Sequence, residues 1–244
     1  MLGGSIRGVA MRVDLLAFGA HPDDIEIGLG GCLARHAAEG LQVGLCDLTA
    51  GELGSNGTPD ERRAEADAAA SVLGAATREN LGWPDGGITG APDQLRSAVD
   101  CIRRLRPRTV AIPYWQDRHP DHGAASQVLA TACHRSGLRR YETDHEAWRP
   151  DWVCYYFIND AVAPSFVVDV SAWYEIKRAA LACHRSQFSP SAEAAVTTRL
   201  VGAGFRQLIE SRDAQFGALA GVAFAEGIVV REPVQRKGLL KELP

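Results

Sequence analysis

The sequence lacks the long apolar run that a membrane span needs. It also lacks a basic excess, because 26 Lys and Arg stand against 30 Asp and Glu and give a net charge of -4. We therefore expect no membrane partner and no nucleic-acid partner. Residues 1–10 contain no apolar core of a secretory signal. We interpret residues 1–11 and 233–244 as flexible termini and consider Met11 an alternative start.

Cysteine is present six times, but no two cysteines form a Cys-x-x-Cys pair. Most of them lie inside apolar segments, where a free cysteine behaves as a small hydrophobic residue. This usage is typical of a reduced protein, so we expect a cytoplasmic location.

Apolar segments of strand length alternate with segments of helical pattern along most of the chain. The predicted strands are 13–19, 41–49, 79–81, 109–113, 152–158 and 166–170. The predicted helices are 27–39, 59–73, 92–105, 122–136, 171–184 and 192–216. Such alternation indicates parallel βαβ units. We predict an α/β fold, a Rossmann-like three-layer sandwich with a mostly parallel sheet, in a single domain over residues 12–232 whose C-terminal part is an extension packed on that domain.

Two of the predicted helices have recognisable start signals. Thr58 stands at an N-cap position, Pro59 follows at the first helical position, and Asp60 and Glu61 supply acids in the first turn. Ser171 is predicted to cap the helix that runs to about residue 184.

Four polar clusters stand where predicted strands end. They are His21–Asp24, Gly51–Glu52, Trp83–Asp85 and Asp117–His122. Because ligands of open α/β sheets bind beyond the carboxyl ends of the strands, we expect these clusters to meet at one edge of the sheet.

The residue types in two of these clusters suit a metal ion. A catalytic zinc keeps three protein ligands, drawn from His and carboxylate among others, and leaves one position open. His21 and Asp24 stand three residues apart in one turn, and His122 follows a neighbouring strand, so we predict these three as ligands. The same donors also suit iron(II), manganese or cobalt.

The remaining polar residues of the two clusters have candidate catalytic roles. Asp23 lies between the two ligands of its turn and is the candidate general base. His119 is the candidate to stabilise an oxyanion or to protonate the leaving amine, with Asp121 bonded to it to keep it charged. A single His-Pro or Asp-Asp pair is more typical of a turn with a helix cap. Two such clusters at neighbouring strand ends favour the metal site.

Two glycine-containing segments have alternative interpretations. Gly28–Gly31 follows a strand, but its spacing fails the dinucleotide pattern, so we interpret these glycines as permitting close helix packing. The loop Gly51–Gly57 is either a plain connector or a substrate-facing loop. Arg62, on the helix after it, either binds substrate or is a solvated helix charge. We also assign Arg118 to the substrate side.

The segments Gly19–Asp24 and Asp117–His122 together resemble the LmbE-like, or PIG-L, family of zinc N-acetylglucosamine deacetylases. The resemblance covers about residues 12–232 and implies a Rossmann-like fold. It implies that the metal is held by His21, Asp24 and His122. It implies the following other site residues: Asp23 as base, His119 and its partner Asp121 at the oxyanion, and Glu52 and Arg62 on the substrate side.

A finer resemblance is to the bacillithiol-pathway deacetylases of that family. The segments that carry it are 51–58, 113–119, 183–188 and 225–227. It implies N-acetylglucosaminyl L-malate as substrate and a homo-oligomer, a hexamer, as the assembly. Phe224 departs from the pattern, because many relatives have Tyr before the Ala-Glu pair.

Two other functions remain open from the sequence. One is a deacetylase or amidase of another amino-sugar conjugate, such as the larger thiol-sugar conjugates of the mycothiol pathway. The other is a metal-dependent sugar-binding protein without catalysis. The presence of both Asp23 and His119 argues against the second, because a binding protein needs no base.

Overall fold

A seven-stranded sheet forms the centre of the structure, a computed structural model that describes residues 12–190 and 196–235. The strands are β1 Leu15–Gly19, β2 Val43–Thr49, β3 Thr77–Trp83, β4 Thr109–Pro113, β5 Trp152–Tyr156, β6 Phe166–Asp169 and β7 Ala225–Val229. Their order is β3-β2-β1-β4-β5-β7-β6. β1 to β5 are parallel, whereas β7 is antiparallel to both β5 and β6. The predicted mostly parallel sheet is confirmed.

Helices cover both faces of the sheet. They are α1 Asp24–Ala38, α2 Pro59–Leu73, α3 Pro92–Leu105, α4 Pro120–Ser136, α5 Tyr174–Cys183, α6 Arg185–Phe188 and α7 Ala203–Ala220. α1, α2 and α5 pack together over one face, and α3 and α4 pack over the other. The three layers of the predicted α/β fold are therefore present. Within the described ranges, no helix is both long enough and apolar enough to span a bilayer.

The C-terminal third differs most from the prediction. β7 was not predicted, because the buried Glu226 interrupts its apolar pattern. The helix predicted over 192–216 begins only at Ala203, and its residues 192–195 lie outside the described ranges. Ser171 opens a 3₁₀ turn, where its hydroxyl donates to Asp169 Oδ1 at 2.7 Å, and does not cap α5.

The start of α2 forms as predicted. The Glu61 N–H donates to Thr58 Oγ1 at 3.2 Å, and the Thr58 N–H donates to Glu61 Oε2 at 2.8 Å. This reciprocal pair is a capping box, which satisfies two backbone donors at the helix start. It fixes the point at which the loop after β2 ends.

α1 lies unusually close to β5 because it carries glycine at the contact. A Cβ added at Gly28 would lie 2.1 Å from Tyr156 Cδ2 and 2.6 Å from the Phe157 carbonyl oxygen. The Tyr156 ring cannot easily move, since its hydroxyl donates to the Phe18 carbonyl at 2.7 Å. The prediction that these glycines permit close helix packing is thus confirmed at Gly28.

We expect Gly28→Ala to lower the free energy of unfolding by roughly 1–3 kcal/mol, because the added methyl overpacks a rigid contact. The matched control is Gly204→Ala, near the start of α7, where an added Cβ meets nothing within 4 Å. That change should be neutral or stabilising by up to about 1 kcal/mol, since alanine has the higher helix propensity. Urea unfolding measures both. Equal stability of Gly28→Ala and the unmodified protein would contradict the close contact.

Candidate metal centre and substrate cleft

The site lies where the strand order reverses. β1 is flanked by β2 on one side and by β4 on the other, so the loops that follow β1 and β4 leave the sheet beside the crevice between them. A cleft of about 650 Å³ opens there. Each of the four strand-end clusters, or its immediate neighbour, contributes to the lining, as shown by His21, Leu53, Asp85 and His119. The predicted meeting of the clusters at one edge is confirmed.

Asp24 connects the two histidines that were predicted to bind metal. Its Oδ2 lies 3.4 Å from His21 Nδ1, and its Oδ1 lies 3.2 Å from His122 Nε2. The three side chains are 11%, 4% and 3% exposed in chain order. The structure therefore brings His21, Asp24 and His122 together in a buried position at the base of the cleft.

Carboxylates engage the outer nitrogens of both histidines. Asp117 Oδ1 lies 2.9 Å from His122 Nδ1. Asp85 Oδ1 and Asp121 Oδ2 lie 3.0 Å and 3.3 Å from His21 Nε2. A carboxylate on the second nitrogen is the usual support of a metal-binding histidine, because it fixes the ring and its tautomer. The nitrogens that face Asp24 are thereby left for a metal.

Asp117 is itself held in place. It accepts hydrogen bonds from the N–H of His119, from the N–H of Asn159 and from Asn159 Nδ2, each at 2.9 Å. The sequence interpretation gave no role to Asp117, Asp85 or Asn159. Asp85 and Asp117 belong to the polar clusters at strand ends, and Asn159 follows the end of β5 by three residues. A search for polar residues just after each strand would therefore have found all three.

The pKa values of the two histidines are shifted in the direction that favours their positive charge. Burial alone lowers the pKa of His122, but Asp24 and Asp117 reverse this and raise it to about 9. Burial is likewise outweighed at His21, where Asp121, Asp24 and Asp85 bring the pKa well above its ordinary value. Burial raises the pKa of Asp24, yet His122 and His21 hold it well below its usual range. A metal that binds here must displace protons from the histidines.

The donor atoms fit a divalent transition metal. Two imidazole nitrogens and a carboxylate are a common zinc set, and they also suit iron(II), manganese or cobalt. His119 is a further possible donor. One ring nitrogen of His119 lies within 4.8 Å of one nitrogen of His21 and one of His122, and those two nitrogens lie within the same distance of each other. One nitrogen of His21 and one carboxylate oxygen each of Asp85 and Asp121 also lie within 4.8 Å of one another. We assign Asp85 and Asp121 to the support of His21, because both carboxylates face His21 Nε2.

Asp23, the candidate base, has an unusual backbone conformation and a carboxylate oxygen that lacks a hydrogen bond among the described residues. Its φ of 130° is rare for a residue other than glycine. The residue is 3% exposed, and its Oδ2 accepts no hydrogen bond from the described residues. Arg62 Nη2 lies 3.6 Å from that oxygen. Burial raises the pKa of Asp23 to about 6, partly offset by Arg62. A carboxylate of this kind is suited to accept a proton.

The predicted pairing of Asp121 with His119 is corrected. The Asp121 carboxylate instead faces His21 Nε2 and accepts the Gly86 N–H at 2.9 Å. His119 is the N-cap of α4, and its Nδ1 accepts the backbone N–H of Asp121 at 3.3 Å. Burial, together with the nearby His21 and His122, lowers the pKa of His119. A neutral ring that accepts at Nδ1 carries its proton on Nε2, where it can donate to a ligand.

The residues predicted on the substrate side are placed in different ways. Arg62 lines the cleft but is 4% exposed, and it donates to the carbonyls of Gly51 and Pro22, each at 2.9 Å. Exposed Glu52 accepts the Asp85 N–H at 2.7 Å, and the lining comes from the residues that follow it. Arg118 is exposed and lines the cleft. Direct substrate contact by these residues stays a prediction.

Comparisons with known proteins show that the chain is similar to deacetylases. A family model described as PIG-L, GlcNAc-PI de-N-acetylase, matches residues 16–133. The chain is 37% identical over 131 residues to the uncharacterized deacetylase YaiS of Escherichia coli K12, covering 50% of this chain and 69% of that protein. It is 33% identical over 158 residues to the 1D-myo-inositol 2-acetamido-2-deoxy-alpha-D-glucopyranoside deacetylase 2 of Catenulispora acidiphila. That match covers 50% of this chain and 52% of that relative, so the chain spans about half its length.

A solved structure extends the likeness to the whole fold. The conserved protein TT1542 from Thermus thermophilus superimposes with a TM-score of 0.84 at 40% sequence identity. The match covers 94% of this chain and 100% of that chain. The C-terminal part, which the family model leaves out, is therefore shared with this structure.

We expect Asp117→Asn to weaken zinc binding by about 10- to 100-fold, because removal of the support of a metal-binding histidine typically has that effect. Competition with a chromophoric chelator measures the affinity. The control is Asp160→Asn, since exposed Asp160 accepts only the Arg118 N–H from the same region. Unchanged zinc affinity in Asp117→Asn would argue against His122 as a ligand through Nε2.

Proposed function

The chain belongs to the PIG-L family of deacetylases, and we therefore propose that it is a metal-dependent hydrolase that removes the acetyl group from an N-acetylglucosaminide. The observation that carries this proposal is the position of Asp23. Its Oδ2 accepts no hydrogen bond from the described residues, and Asp23 lines the same cleft as His21, Asp24 and His122. An amide hydrolase needs a base next to a metal, and this arrangement supplies both.

The chain's own residues have separable tasks in this mechanism. A divalent metal held by His21, Asp24 and His122 would supply Lewis acidity, which polarises an amide carbonyl and acidifies a water. Asp23 takes the proton of the attacking water. His119 donates its Nε2 proton toward the oxygen that becomes negative. The proton held by Asp23 then passes to the departing amine.

Arg62 keeps the base in position. It donates to the Pro22 carbonyl, one residue before Asp23, and to the Gly51 carbonyl in the loop after β2. The guanidinium thus joins the two loops on either side of the base. Its distance of 3.6 Å from Asp23 Oδ2 lets it stabilise the charged carboxylate without occupying that oxygen in a hydrogen bond.

The proposed substrate is N-acetylglucosaminyl L-malate, as in bacillithiol biosynthesis. Support comes from the resemblance of residues 51–58, 113–119 and 183–188 to that subgroup and from the arginine at position 118. The alternative is an inositol glycoside or thiol-sugar conjugate, which the likeness to the Catenulispora acidiphila deacetylase favours. We also propose a cytoplasmic homo-oligomer, a hexamer by the same resemblance, that acts on a small molecule rather than on nucleic acid or a membrane.

We expect Asp23→Asn to lower kcat by at least about 10²- to 10⁴-fold, because general base catalysis contributes that much. Bound zinc, measured by elemental analysis, should remain near the unmodified level. Asp60→Asn, an exposed change in the first turn of α2, is the control and should retain full activity. Full turnover by zinc-loaded Asp23→Asn would show that another group is the base.

The proposed function is tested by amine release from N-acetylglucosaminyl malate and from free N-acetylglucosamine. Turnover should be lost on chelation and restored by added zinc, because the reaction needs the Lewis acid. A preference for the malate glycoside would support the bacillithiol assignment. Tight sugar binding by zinc-loaded protein without any amine release would instead favour the non-catalytic binding protein.

A further inference from the structure

One buried side chain attaches a wall of the cleft to the loop after β2. Asn56 is 7% exposed, and its Nδ2 donates to the Val196 carbonyl at 2.9 Å. The Val196 N–H donates back to Asn56 Oδ1, also at 2.9 Å. Gln187 Nε2 donates to the Asn56 carbonyl at 2.7 Å. The amide of Asn56 thus fixes the start of a segment, Val196–Leu200, that has no regular secondary structure.

Part of this segment forms a wall of the cleft. Thr198, Arg199 and Leu200 line the same cleft as the metal donors, together with Phe205 from α7. Arg199 is exposed, and its guanidinium carbon lies 5.5 Å from the centroid of the Phe205 ring. The ring is 4% exposed and therefore fixed, so the cation–π contact orients the guanidinium at the cleft wall.

The charges of the cleft explain what such an arginine can bind. The carboxylates at its base face histidines or accept backbone N–H groups, and the charge of Asp23 is balanced by Arg62, whose Nη2 lies 3.6 Å from Asp23 Oδ2. Within the described part of the chain, no carboxylate lies within 4 Å of Arg118 or Arg199, whereas Arg35, Arg104 and Arg178 are all paired. The cleft wall therefore carries two positive charges, those of Arg118 and Arg199, that no carboxylate of the described residues balances. A carboxylate on the ligand would complement them, and guanidinium binds carboxylates through paired hydrogen bonds.

We propose that Arg199 determines specificity for the aglycone by binding a carboxylate there, and that Asn56 positions it by holding the segment Val196–Leu200. This inference rests on the proposed deacetylase function and selects the acidic aglycone over the neutral inositol. Arg199 acts on the part of the substrate remote from the amide, so its effect falls on binding rather than on the chemical step.

The test compares an anionic substrate, N-acetylglucosaminyl malate, with a neutral one, methyl N-acetylglucosaminide. In Arg199→Gln we expect KM for the malate glycoside to rise about 10- to 100-fold, since hydrogen bonds to charged groups contribute about that factor. For the malate glycoside, kcat of this variant should change less than about twofold, and so should kcat and KM for the neutral glycoside. Arg199→Lys should recover part of the loss, because it retains the charge without the paired donors.

The matched control is Arg206→Gln, which removes the same charge from an exposed position of α7 that does not line the cleft. It should leave KM for both substrates unchanged. An equal rise of KM for both substrates in Arg199→Gln, or no rise for either, would overturn the assignment of Arg199.

Asn56 is tested in a double-mutant cycle. Asn56→Ala should raise KM for the malate glycoside while Arg199 is present and should add little in the Arg199→Gln background, because it acts through that arginine. Additive effects would overturn the positioning role. If the unmodified enzyme turns over neither substrate, the proposed function fails. Calorimetric binding of glucosaminyl malate and methyl glucosaminide then tests Arg199 separately, with loss of malate selectivity in Arg199→Gln as the supporting result.

Discussion

The contacts of Asp24 with His21 and His122 join the two halves of the sheet at the site. One oxygen of this carboxylate faces each ring, at 3.4 Å and 3.2 Å. His21 lies in the loop after β1, and His122 lies in the first turn of α4, which follows the neighbouring strand β4. Asp24 is also the first residue of α1, so the position of the whole helix sets the position of this carboxylate. The close packing of Gly28 on Tyr156 is one constraint on that position.

The C-terminal extension supplies the other constraint on α1. Glu226 of β7 accepts the N–H groups of Gly31 and Cys32 at 2.9 Å and 2.7 Å, and its charge is balanced by Lys177 at 2.6 Å. Arg212 of α7 donates to the carbonyls of Ile27, at 2.7 Å, and Ile158, at 2.9 Å. Asn159, the residue after Ile158, donates from Nδ2 to the Asp117 carboxylate, and that carboxylate contacts His122 Nδ1. Because a buried charge without its partner is strongly destabilising, this network ties α7 and β7 to α1 and to the residues that support His122. The extension is therefore part of the site rather than an addition to it.

What could be predicted from the sequence depended on local pattern and strand-end position. The alternation of strands and helices predicts the parallel sheet, and the polar clusters at the ends of strands predict that His21, Asp24 and His122 lie close together. Properties that depend on tertiary contacts could not be obtained in this way.

The orientation of the Asp121 side chain depends on Gly86 and His21, which are distant in sequence. β7 could not be predicted because Glu226 interrupts its apolar pattern. The partner of Glu226 is Lys177, 49 residues away, so the neighbouring sequence does not indicate that the Glu226 carboxylate is buried. The task of Arg62 as a link between loops likewise depends on carbonyls that only the fold brings near.

The backbone turn at Asp23 joins two candidate metal ligands to the candidate base. The turn His21–Asp24 places two candidate ligands three residues apart, and the His21 N–H donates to Asp24 Oδ2 at 2.8 Å to close it. Closing this turn gives Asp23 a φ of 130°, which costs of order 1–3 kcal/mol in a residue other than glycine. Glycine would adopt the same conformation without that strain, and a site that only held a metal and a sugar would function with it. A strained, buried aspartate whose Oδ2 accepts no hydrogen bond from the described residues is useful when that oxygen accepts a proton. The geometry of this one turn therefore supports the hydrolase over the binding protein, because two of the three candidate ligands and the candidate base come from the same four residues.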